Sequence, residues 1–189
     1  MKTVSTEFDG LVVIEPTFHG DARGFLLETW KRSTYAAAEI TEDMVQDNLT
    51  WSSAGVLRGL HLQHPKAQAK LVSVLQGDVF DVTVDVRQGS PTFAKWFGIH
   101  LSDSNRRQIF IAPGFAHGFC VLSDSALVAY KCSQEYDPSA ELTIRWNDPK
   151  LAIDWPIGSP GLSAKDAAAP CLDEIPLDRL PTWAPDARA

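Results

Sequence analysis

The chain has 189 residues, 44% of them hydrophobic and 22% charged. That is a little more than one ordinary domain, and the balance excludes a wholly disordered or fibrous chain. Lys and Arg number 17 against 24 Asp and Glu, a formal net charge of −7 with no basic run longer than a pair, which argues against a nucleic-acid partner.

The first ten residues, MKTVSTEFDG, hold no apolar signal-like run. Charges or prolines interrupt every later apolar stretch before the roughly 18 residues that a membrane helix needs. Cys120, Cys132 and Cys171 are odd in number and without paired spacing, so neither a disulfide framework nor a thiolate zinc site is indicated. These features predict a soluble, cytoplasmic protein.

Period-two alternation of apolar and polar residues predicts strands at 11–14, 24–30, 70–75, 79–86, 96–101, 107–111, 127–131 and 141–146. Turn signals separate them, among them Gly77-Asp78, Gly89-Ser90-Pro91, Pro113-Gly114 and Asp137-Pro138. Helix is predicted over 33–40, with Ser33 as its N-cap, and a short turn over 148–153. Proline and alanine gather after Trp155, so the last residues are expected to wrap the surface and to fray past Trp183. The expectation is one all-β sandwich or barrel over residues 1–189, with an N-terminal strand arm at about 1–30 and a wrapping segment at about 150–189.

Ionisable side chains interrupt that pattern where a plain barrel would carry Val or Leu: His61, Lys70, His117 and Tyr130. Each alone has an ordinary structural role, as a packing histidine, a rim lysine or a lining tyrosine. Their convergence in one interior would make a chemical site, because buried charges are costly unless paired or used. A metal centre fits poorly. The metal-binding pattern G-x5-H-x-H finds Gly55 and His61 but Gln63 in place of the second histidine, and Lys70 brings a cation instead of a ligand.

In order along the chain come Asp21-Ala22-Arg23-Gly24-Phe25, Gln46-Asp47-Asn48, Gly55-Val56-Leu57-Arg58-Gly59-Leu60-His61 and Gln68-Ala69-Lys70-Leu71-Val72. Phe80-Asp81-Val82, Val84-Asp85-Val86-Arg87, Pro113-Gly114-Phe115-Ala116-His117-Gly118-Phe119, Tyr130-Lys131 and Leu162-Ser163-Ala164-Lys165-Asp166 follow. Over residues 8–171 this set strongly resembles the dTDP-4-dehydrorhamnose 3,5-epimerase family. The resemblance implies a cupin-type jelly-roll β-barrel with short peripheral helices. It also implies conversion of dTDP-4-dehydro-6-deoxy-D-glucose into dTDP-4-dehydro-L-rhamnose.

The family match carries roles residue by residue. His61 is the implied base, Asp166 the carboxylate that orients it, Tyr130 the acid on the opposite face and Lys70 the enolate-stabilising cation. Arg23, Arg58 and His117 match substrate contacts, and Gln46, Asp47 and Asn48 match a nucleotide-binding triplet. Glu28, Glu141 and Lys165 match further contacts, Tyr136 a base-stacking aromatic, and Asp81 a support for His117. No cofactor or metal is implied, because the C4 ketone next to both reacting carbons is its own electron sink. The partner is a nucleotide sugar, and the family implies a homodimer in which N-terminal strands complete the neighbour's sheet. Leu62 and Trp51 depart from common family residues. An epimerase acting at C3 or C5 alone, or a non-catalytic sugar-nucleotide binder, would share much of the pattern.

Overall fold

Short runs rich in apolar and β-branched residues account for most of the strands. The structure is a computed structural model describing residues 1–184; but for Ala184, the tail expected to fray past Trp183 lies outside the described residues. In chain order the first strands are β1 (Lys2–Ser5), β2 (Leu11–Glu15), β3 (Phe18–Asp21), β4 (Gly24–Leu27), β5 (Gln46–Ser53), β6 (Leu57–Gln63) and β7 (Lys70–Gln76). Then come β8 (Asp78–Asp85), β9 (Trp96–Ser102), β10 (Gln108–Ile111), β11 (Phe115–Val121), β12 (Ser125–Cys132) and β13 (Glu141–Thr143). They form a six-stranded sheet in the order β1-β2-β10-β7-β12-β5, a five-stranded sheet β13-β6-β11-β8-β9, and a separate β3–β4 hairpin. All of the ladders are antiparallel. This is the double-sheet jelly roll of the cupin type.

Three apolar layers hold it. Val72, Val74, Ile109 and Val128 of the larger sheet pack between the sheets against Val79, Leu101, Phe115 and Phe119 of the smaller. The outer face of the smaller sheet, with Leu60, Leu62, Val82 and Val84, is covered by Leu151, Trp155, Leu172 and Ile175 from the C-terminal segment. On the outer face of the larger sheet, Tyr35 and Ile40 cover Ile14, Leu71 and Phe110. Because the smaller sheet is covered on both sides, all seven residues of β11 are buried. Such a strand carries no alternation, which explains why the pattern missed it.

The helix α1 is shorter than predicted, Arg32–Ala36, and Ser33 is not its cap. Lys31 occupies that position in an extended conformation, without a side-chain bond. Tertiary contacts hold this turn instead: the Tyr35 hydroxyl bonds Gln108 and the Thr29 carbonyl, and its ring meets Trp30. Strands β4 and β13 likewise stop at Leu27 and Thr143, short of the predicted 30 and 146. No helix among the described residues is long and apolar enough to cross a membrane.

The predicted Gly89-Ser90-Pro91 turn is tied down by one buried carboxylate. Asp85 accepts from the Arg87 amide at 3.0 Å and Nε at 2.9 Å, and from Nη2 at 2.8 Å. It also accepts from the Ser90 and Thr92 hydroxyls at 2.6 and 2.7 Å. Burial raises the Asp85 pKa, but these hydrogen bonds outweigh it and hold the carboxyl below its ordinary value. Asp85→Ala leaves the Arg87 guanidinium buried without its partner and is expected to cost about 3–5 kcal/mol, read from urea unfolding. The group's native pKa is lowered, so its stabilisation is full above the unfolded-state value and is lost as pH falls through the native one. The acid limb of the stability curve is therefore expected to flatten in the variant.

Candidate active site

A cavity of about 580 Å³ opens between the two sheets. Its geometry starts with an irregularity in β6. Arg58 and His61 are three residues apart, so regular alternation would send them to opposite faces. Both nevertheless line the cavity, while Leu57, Leu60 and Leu62 all pack in the outer core. The β6–β11 register explains this, since His117 pairs with His61 but Phe119 pairs with Arg58, which inserts an extra residue in β6. Gly59 sits in this bulge at φ +122°, and a Cβ there would lie 2.6 Å from Gly118 Cα. A Cβ on Gly118 would in turn lie 2.6 Å from the Arg58 carbonyl oxygen. Two glycines thus permit the backbone approach that turns Arg58 and His61 to the same side.

His61 is held from the C-terminal segment. Ser163 caps the short helix α2 (Ala164–Ala167), its hydroxyl accepting from the Asp166 amide at 3.1 Å. The Asp166 carboxylate, itself buried, lies 2.7 Å from His61 Nε2. A carboxylate only accepts, so Nε2 carries the hydrogen and Nδ1 is the basic nitrogen of the neutral ring. Burial pushes the Asp166 carboxyl up, but the His61 hydrogen bond and charge, with Ser163 and Lys165, bring it below the ordinary value. It stays ionised at neutral pH. Beside this pair, His117 Nε2 meets Asp81 at 2.8 Å, with the Asp81 side chain fully buried.

The facing wall comes from the larger sheet. Tyr130 on β12 and Lys70 on β7 both line the cavity, with the Lys70 ammonium 5.7 Å from the phenol ring centroid. Burial lowers the Lys70 pKa against the partly opposing fields of Cys132, Glu141 and Asp81. Burial raises the Tyr130 phenol, with Cys132 adding to the rise and Arg58 and Thr50 opposing it. At neutral pH the tyrosine therefore keeps its proton. An imidazole and a phenol thus approach the same space from opposite sheets.

At the cavity mouth, Glu141 bridges Lys165 at 2.7 Å and accepts from the Tyr136 hydroxyl at 3.1 Å. Gln46 accepts from the Tyr136 amide at 2.8 Å and donates to Asn48 at 3.0 Å. Besides Asp81, which is bonded to His117, three of the residues expected at the site lie outside this cavity. Arg23 pairs with Asp21 on the β3–β4 hairpin, its side chain 90% exposed. Glu28 accepts from Thr34 at 3.3 Å, and Asp47 faces outward from β5 to pair with Lys131 at 2.9 Å. Conversely, Thr50, Gln63, Gln68, Phe119 and Cys132 line the cavity without having been singled out for it. Continuing the alternation of Gln46 and Asn48 would have found Thr50. No group of three or more His, Cys, Asp or Glu among the described residues is placed to hold a metal ion.

The family model described as dTDP-4-dehydrorhamnose 3,5-epimerase matches residues 5–174. The dTDP-4-dehydrorhamnose 3,5-epimerase of Salmonella typhimurium is 46% identical, covering 94% of this chain and 98% of its own length. A Legionella pneumophila dTDP-6-deoxy-D-glucose-3,5-epimerase, solved in complex with dTDP-4-keto-L-rhamnose, superposes with a TM-score of 0.95 at 50% identity. That match covers 97% of this chain and 99% of the other. A 4-keto-6-deoxy sugar epimerase from the novobiocin gene cluster of Streptomyces spheroides gives 0.93 at 40% identity, over 97% of this chain and 94% of its own. With its jelly roll and two-walled cavity already described, the chain belongs to the dTDP-4-dehydrorhamnose 3,5-epimerase family.

Proposed function

We propose that this protein epimerises dTDP-4-dehydro-6-deoxy-D-glucose at C3 and C5 to give dTDP-4-dehydro-L-rhamnose. The observation that carries the reading is the imidazole and the phenol on facing sheets, with an ammonium beside the phenol. Both reacting carbons flank the C4 ketone, so loss of either proton leaves an enolate with its charge on O4. His61 Nδ1 takes the proton from one face, and Asp166 stabilises the imidazolium. Tyr130 delivers a proton to carbon from the other face. Lys70, with His117 steadied by Asp81, stabilises the charge on O4. Exchange with solvent returns His61 and Tyr130 to their starting protonation states.

Arg58 takes the diphosphate, whose oxygens suit its planar donors. Gln46 and Asn48 hold the nucleotide, Tyr136 stacks on the base, and Glu141 and Lys165 close the mouth. The active unit is a homodimer in the cytoplasm. Arg23 and Glu28 sit on or beside a hairpin whose Phe25 and Leu26 are 63% and 70% exposed. Trp51, on the outer face of edge strand β5 with Asp47, is 64% exposed. Pairing of two copies covers these apolar side chains and carries Arg23 and Glu28 to the neighbour's nucleotide site.

The test is proton NMR of the 4-ketosugar nucleotide incubated with the protein in D2O. Deuterium at C3 and C5 with the L-rhamno product is expected. Label at one position alone would replace this reading with a single-position epimerase. No exchange at all would leave a different sugar or a binding role.

A further inference from the structure

The inner face of β5 presents Gln46, Asn48, Thr50 and Ser52 in strict alternation, and each secures a different part of the cavity. The first two belong to the nucleotide site above. The other two reach the catalytic and diphosphate groups. The Ser52 side chain is buried, and its hydroxyl accepts from Arg58 Nε at 3.0 Å. That bond engages Nε and leaves the two terminal guanidinium nitrogens for a ligand, on a residue that lines the cavity. Thr50 lies diagonally across the β5–β12 ladder from Tyr130, since Val128 pairs with Thr50 and Tyr130 with Asn48. Both line the cavity, and the Thr50 side chain opposes the rise that burial gives the phenol pKa.

We propose that Thr50 and Ser52 are positioning residues: Thr50 aims the Tyr130 hydroxyl and stabilises its phenolate, and Ser52 aims the Arg58 guanidinium at the ligand diphosphate. The proposal rests on the epimerase reading for Thr50, whereas the Ser52 half depends only on nucleotide binding. When Tyr130 gives its proton to carbon, a phenolate forms in a largely buried setting. A neighbouring hydroxyl that donates to it lowers the cost of that step. Proton removal by His61 on the facing sheet does not use Thr50. Loss of Thr50 therefore slows reprotonation from the tyrosine face relative to return of a solvent-exchanged proton by His61. The partition between these two fates is what the residue controls.

Two variants separate the roles. Thr50→Val in D2O is expected to raise the ratio of deuterated but uninverted substrate to inverted product by about 3- to 10-fold, the worth of one hydrogen bond. Thr50→Ser should restore the wild-type ratio. Ser52→Ala is expected to weaken binding of dTDP, measured by calorimetry, by about 3- to 10-fold while leaving that ratio unchanged. In an Arg58→Ala background the Ser52 change should add nothing, as a double-mutant cycle would show. An unchanged ratio in Thr50→Val overturns the first role. Unchanged dTDP affinity in Ser52→Ala, or an equal loss without Arg58, overturns the second. A wild-type protein that exchanges neither carbon overturns the epimerase reading, and with it the role of Thr50, while dTDP titration still decides Ser52.

Discussion

A His61→Ala protein is expected to lose about 10²–10⁴-fold in turnover, with deuterium exchange at C3 and C5 falling together. Both positions share the loss because the proposed chemistry uses one base for two carbons that flank the same ketone. The fold should survive, since His61 lines a cavity and its hydrophobic neighbours in β6, Leu60 and Leu62, face away into the outer core. Binding of dTDP, which depends on Arg58 and the β5 face, is expected to remain near the wild-type value. Asp166→Asn tests the tautomer argument separately. An amide can present its NH2 group to Nε2, which favours the wrong tautomer and places the hydrogen on Nδ1, so turnover should fall although the imidazole is still present. In the native protein the Asp166 pKa is lowered, so its pairing with His61 is complete above the ordinary carboxylate range and fails as pH falls through the lowered value. Turnover that remained at the wild-type level in His61→Ala would overturn the assignment of the base.

The sequence made the layered β architecture legible through short bursts of apolar and β-branched residues bounded by turn signals, as in β2, β7 and β9. It was silent over β11, all of whose residues are buried. In β5 the pattern is inverted, because the inward positions Gln46, Asn48 and Thr50 are polar for the cavity while Leu49 and Trp51 point outward. Regular alternation would put Arg58 and His61 on opposite faces; the Gly59 bulge, a matter of pairing between β6 and β11, puts them on one side. The ordered family motifs supplied the residues that converge, including His61 and Asp166, which are 105 positions apart. They did not say which copy of the chain uses each one. Arg23 and Glu28 show the difference, since they lie outside their own protomer's cavity and acquire a role there only through the proposed dimer.

Lys70→Met is expected to reduce turnover by about 10²–10³-fold without reducing stability, and to raise the melting temperature modestly. The side chain borders the open cavity, but protein surrounds its ammonium closely enough that burial lowers its pKa. No carboxylate among the described residues forms an ion pair with it. A cation kept in that setting costs folding free energy that a thioether of similar length does not. The cost has a use only when negative charge develops on O4, where an ammonium already in place needs no reorganisation. The pH dependence separates this account from a structural one. Because the native pKa lies below the unfolded value, the unfolded chain binds more protons between the two, and stability attributable to this group rises with pH across that window. Lys70→Met should abolish that rise. Wild-type turnover should meanwhile fall on the alkaline side below the pH at which a free lysine loses its proton, and the residual activity of the variant should lack that limb. A variant that is both less stable and fully active would mean that Lys70 is a packing residue and that another donor meets the enolate oxygen.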